Sequence, residues 1–146
     1  MKILIAIDVS DHSQIVLQNV AARPWPSNTE MRVLHVVEPP SILMGREMSG
    51  PDPEFETVWE ALRDQAKSLV TKAADKLRNS GLNATAVLEE GDPKSRIIDV
   101  ANDWHADMIV LGSHGHRGLS RFLMGSVSEA VARHAHCSVE IVRTQG

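Results

Sequence analysis

Near the C-terminus, Gly112 and Gly115 are followed, after nine residues, by Gly125 and Ser126. The run leaves a strongly apolar segment, Met108 to Leu111, and enters a stretch from Val127 to His134 that reads as a helix. Glycines let backbone N–H groups approach a ligand closely. A helix start adds unpaired donors and a partial positive charge. The chemistry this pattern suits is anion binding, and in a small α/β protein the anion is usually a phosphate. The donors would be the hydroxyls of Ser126 and Ser128 and the N–H groups of Ser126 to Ser128. Glu129 lies three residues after Ser126, so Ser126 also reads as the first half of a capping box. Capping and phosphate binding use the same helix end and are compatible.

The run is not a P-loop, which needs Lys and Ser/Thr directly after its second glycine. Gly91-Asp-Pro-Lys94-Ser95 imitates one but lacks the upstream glycine, and Pro93 occupies a position that should donate. That segment reads as a helix start. The spacing of Gly112 and Gly115 is also wrong for the dinucleotide fingerprint. Asp8, at the end of a buried strand, could accept from a ribose hydroxyl, hold a metal through phosphate oxygens, or cap a turn with Ser10. Arg117 or Arg121 could face a phosphate or lie solvated. The pairs His114/His116 and His134/His136 lack the spacing of a helical metal site, and no cysteine or carboxylate cluster joins them. No Gly-x-Ser-x-Gly elbow, nucleophile–base pair or lysine near the glycine run is present. Rapid phosphoryl transfer would need such a fixed cation and a base.

The elements that must position these residues alternate. Lys2–Ile7 is a continuous apolar run, the mark of a strand buried on both faces. Ser10 to Ser13 supply helix-start residues, and a helix from Ile15 to Ala22 must end near Pro24. Met31–Val37 is a second buried strand. A long helix, Phe55 to Asn79, carries the stripe Val58, Leu62, Ala66, Leu69, Ala73 and Leu77, widened by Ala61 and Val70. Gly81 suits its C-terminal cap. Thr85–Leu88 anchors a third strand. Asp92 and Pro93 open a helix striped by Ile97, Val100, Ala101 and Trp104. Asp107–Leu111 is the fourth strand, Ser126–His134 the last helix and Ser138–Arg143 the fifth strand.

This alternation predicts an α/β protein with a single domain over residues 1–146. It would be an open five-stranded parallel sheet of order 3-2-1-4-5 with helices on both faces, a Rossmann-like architecture. The topological switch falls between strands 1 and 4, where ligands bind at the C-terminal strand ends. The exits Asp8-Val9-Ser10 and Gly112-Ser113-His114-Gly115 therefore flank one crevice. Segment 39–55, rich in Pro and Gly and without periodicity, is either a lid or a passive or disordered crossover.

A net charge of −4 and the absence of any basic run argue against nucleic-acid binding. The N-terminal apolar run is too short for a signal peptide or a membrane span. The single cysteine, Cys137, cannot form an internal disulfide, which suits a cytoplasmic protein. It reads as a small buried hydrophobe at a strand start.

Taken together, Gly112-x-x-Gly115, nine residues and Gly125-Ser126 resemble the ATP-binding signature of the universal stress protein family. The opening from Lys2 to Asp8 with Ser10 and Ser13, the strand around His35, and the runs 112–119, 123–129 and 134–137 are similar to family consensus as well. The resemblance implies an ATP-binding stress-response module or switch with slow or no hydrolysis. It places Ala6, Ile7 and Asp8 on the adenosine side, and the backbone of Val36 at adenine. Gly112, Gly115, Gly125, Ser126, Val127 and Ser128 would hold ribose and phosphates. Mg2+ or Mn2+ would accompany the triphosphate. A homodimer through the last strand is implied too, although Glu140 departs from the aliphatic run usual there and would need a basic partner such as Arg143. Two other readings are an adenine-nucleotide-dependent hydrolase or transferase using Asp8 or a metal-bound water, and a nucleotide-free dimeric scaffold.

Overall fold

The structure is a computed structural model, and it describes residues 1–39, 53–114 and 124–143. Five strands form one sheet: β1 (Lys2–Ile7), β2 (Glu30–Val37), β3 (Asn83–Glu90), β4 (Met108–Gly112) and β5 (Ser138–Val142). Four helices alternate with them among the described residues: α1 (His12–Ala21), α2 (Pro53–Asn79), α3 (Pro93–Trp104) and α4 (Ser126–His134). Strand order is β3-β2-β1-β4-β5, and all four strand pairs are parallel. The switch point lies where expected, because β1 pairs with both β2 and β4.

The sheet separates two cores, and β1 shows why its sequence is apolar without interruption from Ile3 to Ile7. Successive side chains point to opposite faces. Ile3, Ile5 and Ile7 join Val16, Leu17 and Val20 of α1 and Val70, Ala73, Ala74 and Leu77 of α2 on one face. Leu4 and Ala6 join Ile97, Val100, Ala101 and Trp104 of α3 and Val131 of α4 on the other. Both faces being covered, no position from Ile3 to Ile7 favours a polar residue.

Local signals explain most boundaries. The Asp92 carboxylate accepts from the Ser95 amide at 3.3 Å, with Pro93 opening α3. After α2, Gly81 takes φ +89° and Leu82 N–H donates back to Leu77 O at 3.1 Å. That closing turn requires the left-handed region that glycine enters without steric cost.

Three expectations are corrected. Helix α1 begins three residues before Ile15, at His12, because Ser13 N–H and Gln14 N–H already bond back to Ser10 and Asp11 carbonyls. On α2, Val58 is 37% exposed and Ala61 is exposed, whereas Trp59 is 6% exposed. The larger ring closes a small cluster with Val37 and Ala66, flanked by Phe55, Leu62 and Leu88, and this turns the stripe by one residue. Glu140 on β5 is paired by Arg23, which follows α1, and not by Arg143. Both guanidinium NH2 groups reach its carboxylate. Arg23 is further held by Asn19 and stacks 4.9 Å from the Trp25 ring. The lid-or-loop question over 39–55 falls largely on residues 40–52, outside the described residues.

Candidate functional site

Two lips face each other at the switch point. The first is the β1–α1 turn. One Asp8 carboxylate oxygen accepts from Ser10 N–H at 2.9 Å and from the Ser10 and Ser13 hydroxyls, while Asp8 N–H donates to Ser13 Oγ at 2.9 Å. Asp8 thus fastens the turn that begins α1. The capping role expected of Asp8 and Ser10 is present, although it organises the turn and does not satisfy the helix start itself. A fixed carboxylate at a strand exit is suited to accept from a sugar hydroxyl.

The second lip joins β4 to α4, and the Ser113 carbonyl is its hub. Gly125 N–H donates to it at 2.7 Å, as does the buried Ser128 hydroxyl at 3.1 Å. Ser113 N–H in turn donates to Val142 O at 2.9 Å. The start of α4 is therefore clamped to the end of the sheet. A Cβ built on Gly125 would stand 3.2 Å from Ser113 O, 3.5 Å from the His114 Cα and 3.5 Å from Ser128 Oγ. Glycine here permits the close approach of two backbones.

The capping box is not formed. The N-cap is Gly125, with no side-chain cap bond, and Ser126 is the first helical residue. The register moves because Gly125 is pinned to Ser113, which makes Gly125 O the acceptor for Glu129 N–H at 2.9 Å. Ser128 Oγ also reaches Gly125 O at 2.9 Å, so its hydroxyl serves the clamp. With no side chain capping α4, the first-turn amides of Ser126, Val127 and Ser128 lack intrahelical partners. That arrangement suits an external anion.

Ala6, Ile7 and Val36 are buried at the ends of β1 and β2, beside Asp8. Gly112 ends β4 opposite Val142. Gly115, His116, Arg117 and Arg121 lie outside the described residues.

Two histidines have places that the sequence reading did not give them. His35 is buried, and its Nδ1 lies 3.0 Å from Ile7 O, tying the C-terminal ends of β1 and β2. Its signal was a polar residue within the apolar stretch Val33 to Val37. His12, read only as a helix-start residue, places its ring centroid 6.2 Å from that of His114, so the rings meet across the lips. Cys137 is partly buried against the α3/α4 core. Burial, and then the nearby Asp107 charge, push its thiol up, which disfavours the nucleophilic thiolate.

A nucleotide fits this arrangement in its donors. The uncapped start of α4, held against the end of β4 by the close approach at Gly125, offers donors for the phosphate side, and Asp8 offers a carboxylate. No group of three or more metal-binding side chains occurs among the described residues. A Mg2+ or Mn2+ ion would therefore rely on phosphate oxygens and water, as Mg2+ commonly does. No helix of the described residues is long and apolar enough to cross a membrane.

The Usp model, described as "Universal stress protein family", matches residues 1–143. A universal stress protein of Methanocaldococcus jannaschii, MJ0531, is 30% identical over 142 residues, spanning 97% of this chain and 81% of the relative. The solved structure of MJ0577, from the same organism, superposes with a TM-score of 0.83 at 27% identity, covering 99% of this chain and 96% of that one. A family member from Arabidopsis thaliana with AMP bound shares the fold, with a TM-score of 0.71 and 19% identity over 100% of this chain and 93% of that chain. The family model matches nearly the whole sequence and the fold superposes along nearly the whole length, and the chain belongs to the universal stress protein family.

Proposed function

We propose that this protein binds an adenine nucleotide, ATP by preference, in the crevice between Asp8 and Gly112, and works as a nucleotide-dependent stress-response module in the cytoplasm. The observation that carries the reading is the clamped, uncapped start of α4 opposite a fixed carboxylate at the switch point. Adenine lies against the Val36 backbone, with Ala6, Ile7 and Asp8 on the adenosine side. Gly112, Gly115, Gly125, Ser126, Val127 and Ser128 hold ribose and phosphates, the last of these through its amide, because its hydroxyl is engaged. AMP bound to a protein of the same fold supports the adenine preference. Mg2+ or Mn2+ accompanies the triphosphate. A second copy pairs along the edge strand β5, where the charge of Glu140 is met within its own chain by Arg23.

In this chain, Asp8 orients the sugar and the α4 amides hold phosphate charge. No lysine or arginine occurs in the described lip segments 6–14, 108–114 and 124–130. Although Ser113 Oγ lies 3.1 Å from His114 Nδ1, no fixed cation from these segments stands at a transferring phosphate, which supports slow or absent hydrolysis. Calorimetry with ATP and Mg2+, followed by a turnover assay, tests both parts. The expected result is binding in the micromolar class with turnover far below about 1 per second, the low end of ordinary enzymes. Lack of binding at millimolar ATP would overturn the reading. Turnover well above that rate would instead favour a hydrolase or transferase.

A further inference from the structure

We propose that His12, together with His114, contacts the phosphate chain beyond its first phosphate and gives the crevice its preference for a triphosphate over a monophosphate. The inference rests on nucleotide binding in the crevice. Position is its first support. His114 adjoins the α4 start, its Cα being 3.5 Å from where a Gly125 Cβ would lie. His12 opens α1 on the opposite lip, with its ring centroid 6.2 Å from that of His114. The two imidazoles therefore meet beside the start of α4, where the first-turn amides lie.

The second support is an unmet nitrogen. His12 Nδ1 is shielded from solvent and has no hydrogen-bond partner among the described residues. Buried polar groups are normally satisfied, and an exception calls for a missing partner. His35 offers the contrast, because its Nδ1 is already engaged by the Ile7 carbonyl. A ring turn or tautomer shift at His12 would give a ligand oxygen an N–H donor and relieve the unmet group.

The third support is charge. Among the described lip segments the only basic side chains are these two imidazoles, while Asp8, Asp11 and Glu129 carry negative charge. The first-turn amides of α4 suffice for one phosphate. A triphosphate adds oxygens and charge that call for further donors, and among the described residues of the β1–α1 lip His12 is the basic side chain placed to supply one.

The test is calorimetry with ATP and AMP on the full-length protein and on His12→Ala, His12→Lys and His114→Ala. Wild type is expected to bind ATP more tightly than AMP. His12→Ala weakens ATP about tenfold, the weight of a hydrogen bond to a charged phosphate in a partly buried site, and changes AMP less than twofold. His12→Lys, which restores an N–H donor at this position, retains most of the ATP preference, and His114→Ala reduces it. Equal weakening of ATP and AMP by His12→Ala, or no change in either, overturns this inference and leaves nucleotide binding standing. Wild type that binds neither nucleotide overturns both.

Discussion

Gly125→Val is expected to weaken ATP binding by a factor of about 100 or more, roughly 3 kcal/mol, in a protein that still folds. The reason is local. A Cβ at this position meets Ser113 O at 3.2 Å, and that carbonyl already accepts from Gly125 N–H and Ser128 Oγ. Valine adds two further carbons. The start of α4 must move off the end of β4, and its first-turn amides move with it. The backbone itself is not the obstacle, since Gly125 has φ −63°, which any residue adopts. Overpacking of this kind costs about 1–3 kcal/mol of stability, which a domain of ordinary stability survives. Calorimetry for ATP and a thermal melt by circular dichroism on the same sample check the two halves. Unchanged ATP affinity would show that the α4 start is not the phosphate cradle.

Leu4→Ala carries the largest expected effect on stability. Leu4 is 0% exposed in the central strand, with Arg32 of β2 and Ile109 of β4 as its register partners. Its side chain enters the core formed with Leu34, Ile109, Trp104 and Val131. Strands on both sides hold the backbone, so the site cannot collapse and a cavity remains. The expected loss is about 3–4 kcal/mol. For a domain near this size that lowers the melting temperature by about 10 °C, with the urea m-value unchanged. Val9→Ala is the control: Val9 is 53% exposed, and its loss should stay within about 0.5 kcal/mol. A Leu4→Ala loss below about 1 kcal/mol would mean that the two-sided core is packed otherwise than described.

The architecture was legible because the strong signals were of long range in sequence. The unbroken apolar run at 3–7 and the largely apolar run at 31–37 imply two covered faces, and alternation with helices leaves few topologies. The glycine lip was legible for a similar reason, since its spacing follows a buried strand. What the sequence hid was decided by tertiary contacts. Trp59 displaced Val58 from the core because a large ring fills the gap above Val37 better. Arg23 reached Glu140 from a segment distant in sequence, a pairing no periodicity encodes. The capping box at Ser126 yielded to a backbone clamp on Gly125, which local capping rules do not anticipate. His12 looked like an ordinary helix-start residue until the sheet order brought it against His114.

The central claim is that one crevice, between the exits of β1 and β4, receives an adenine nucleotide. Titrating ATP into 15N-labelled protein and following backbone amides tests it most directly. The expected result is saturable shifts concentrated at Asp8, Val36, Gly112 and Ser126 to Ser128, with the opposite ends of the strands, around Lys2 and Glu30, unmoved. Shifts centred elsewhere on the molecule, or none at millimolar ATP, would contradict it.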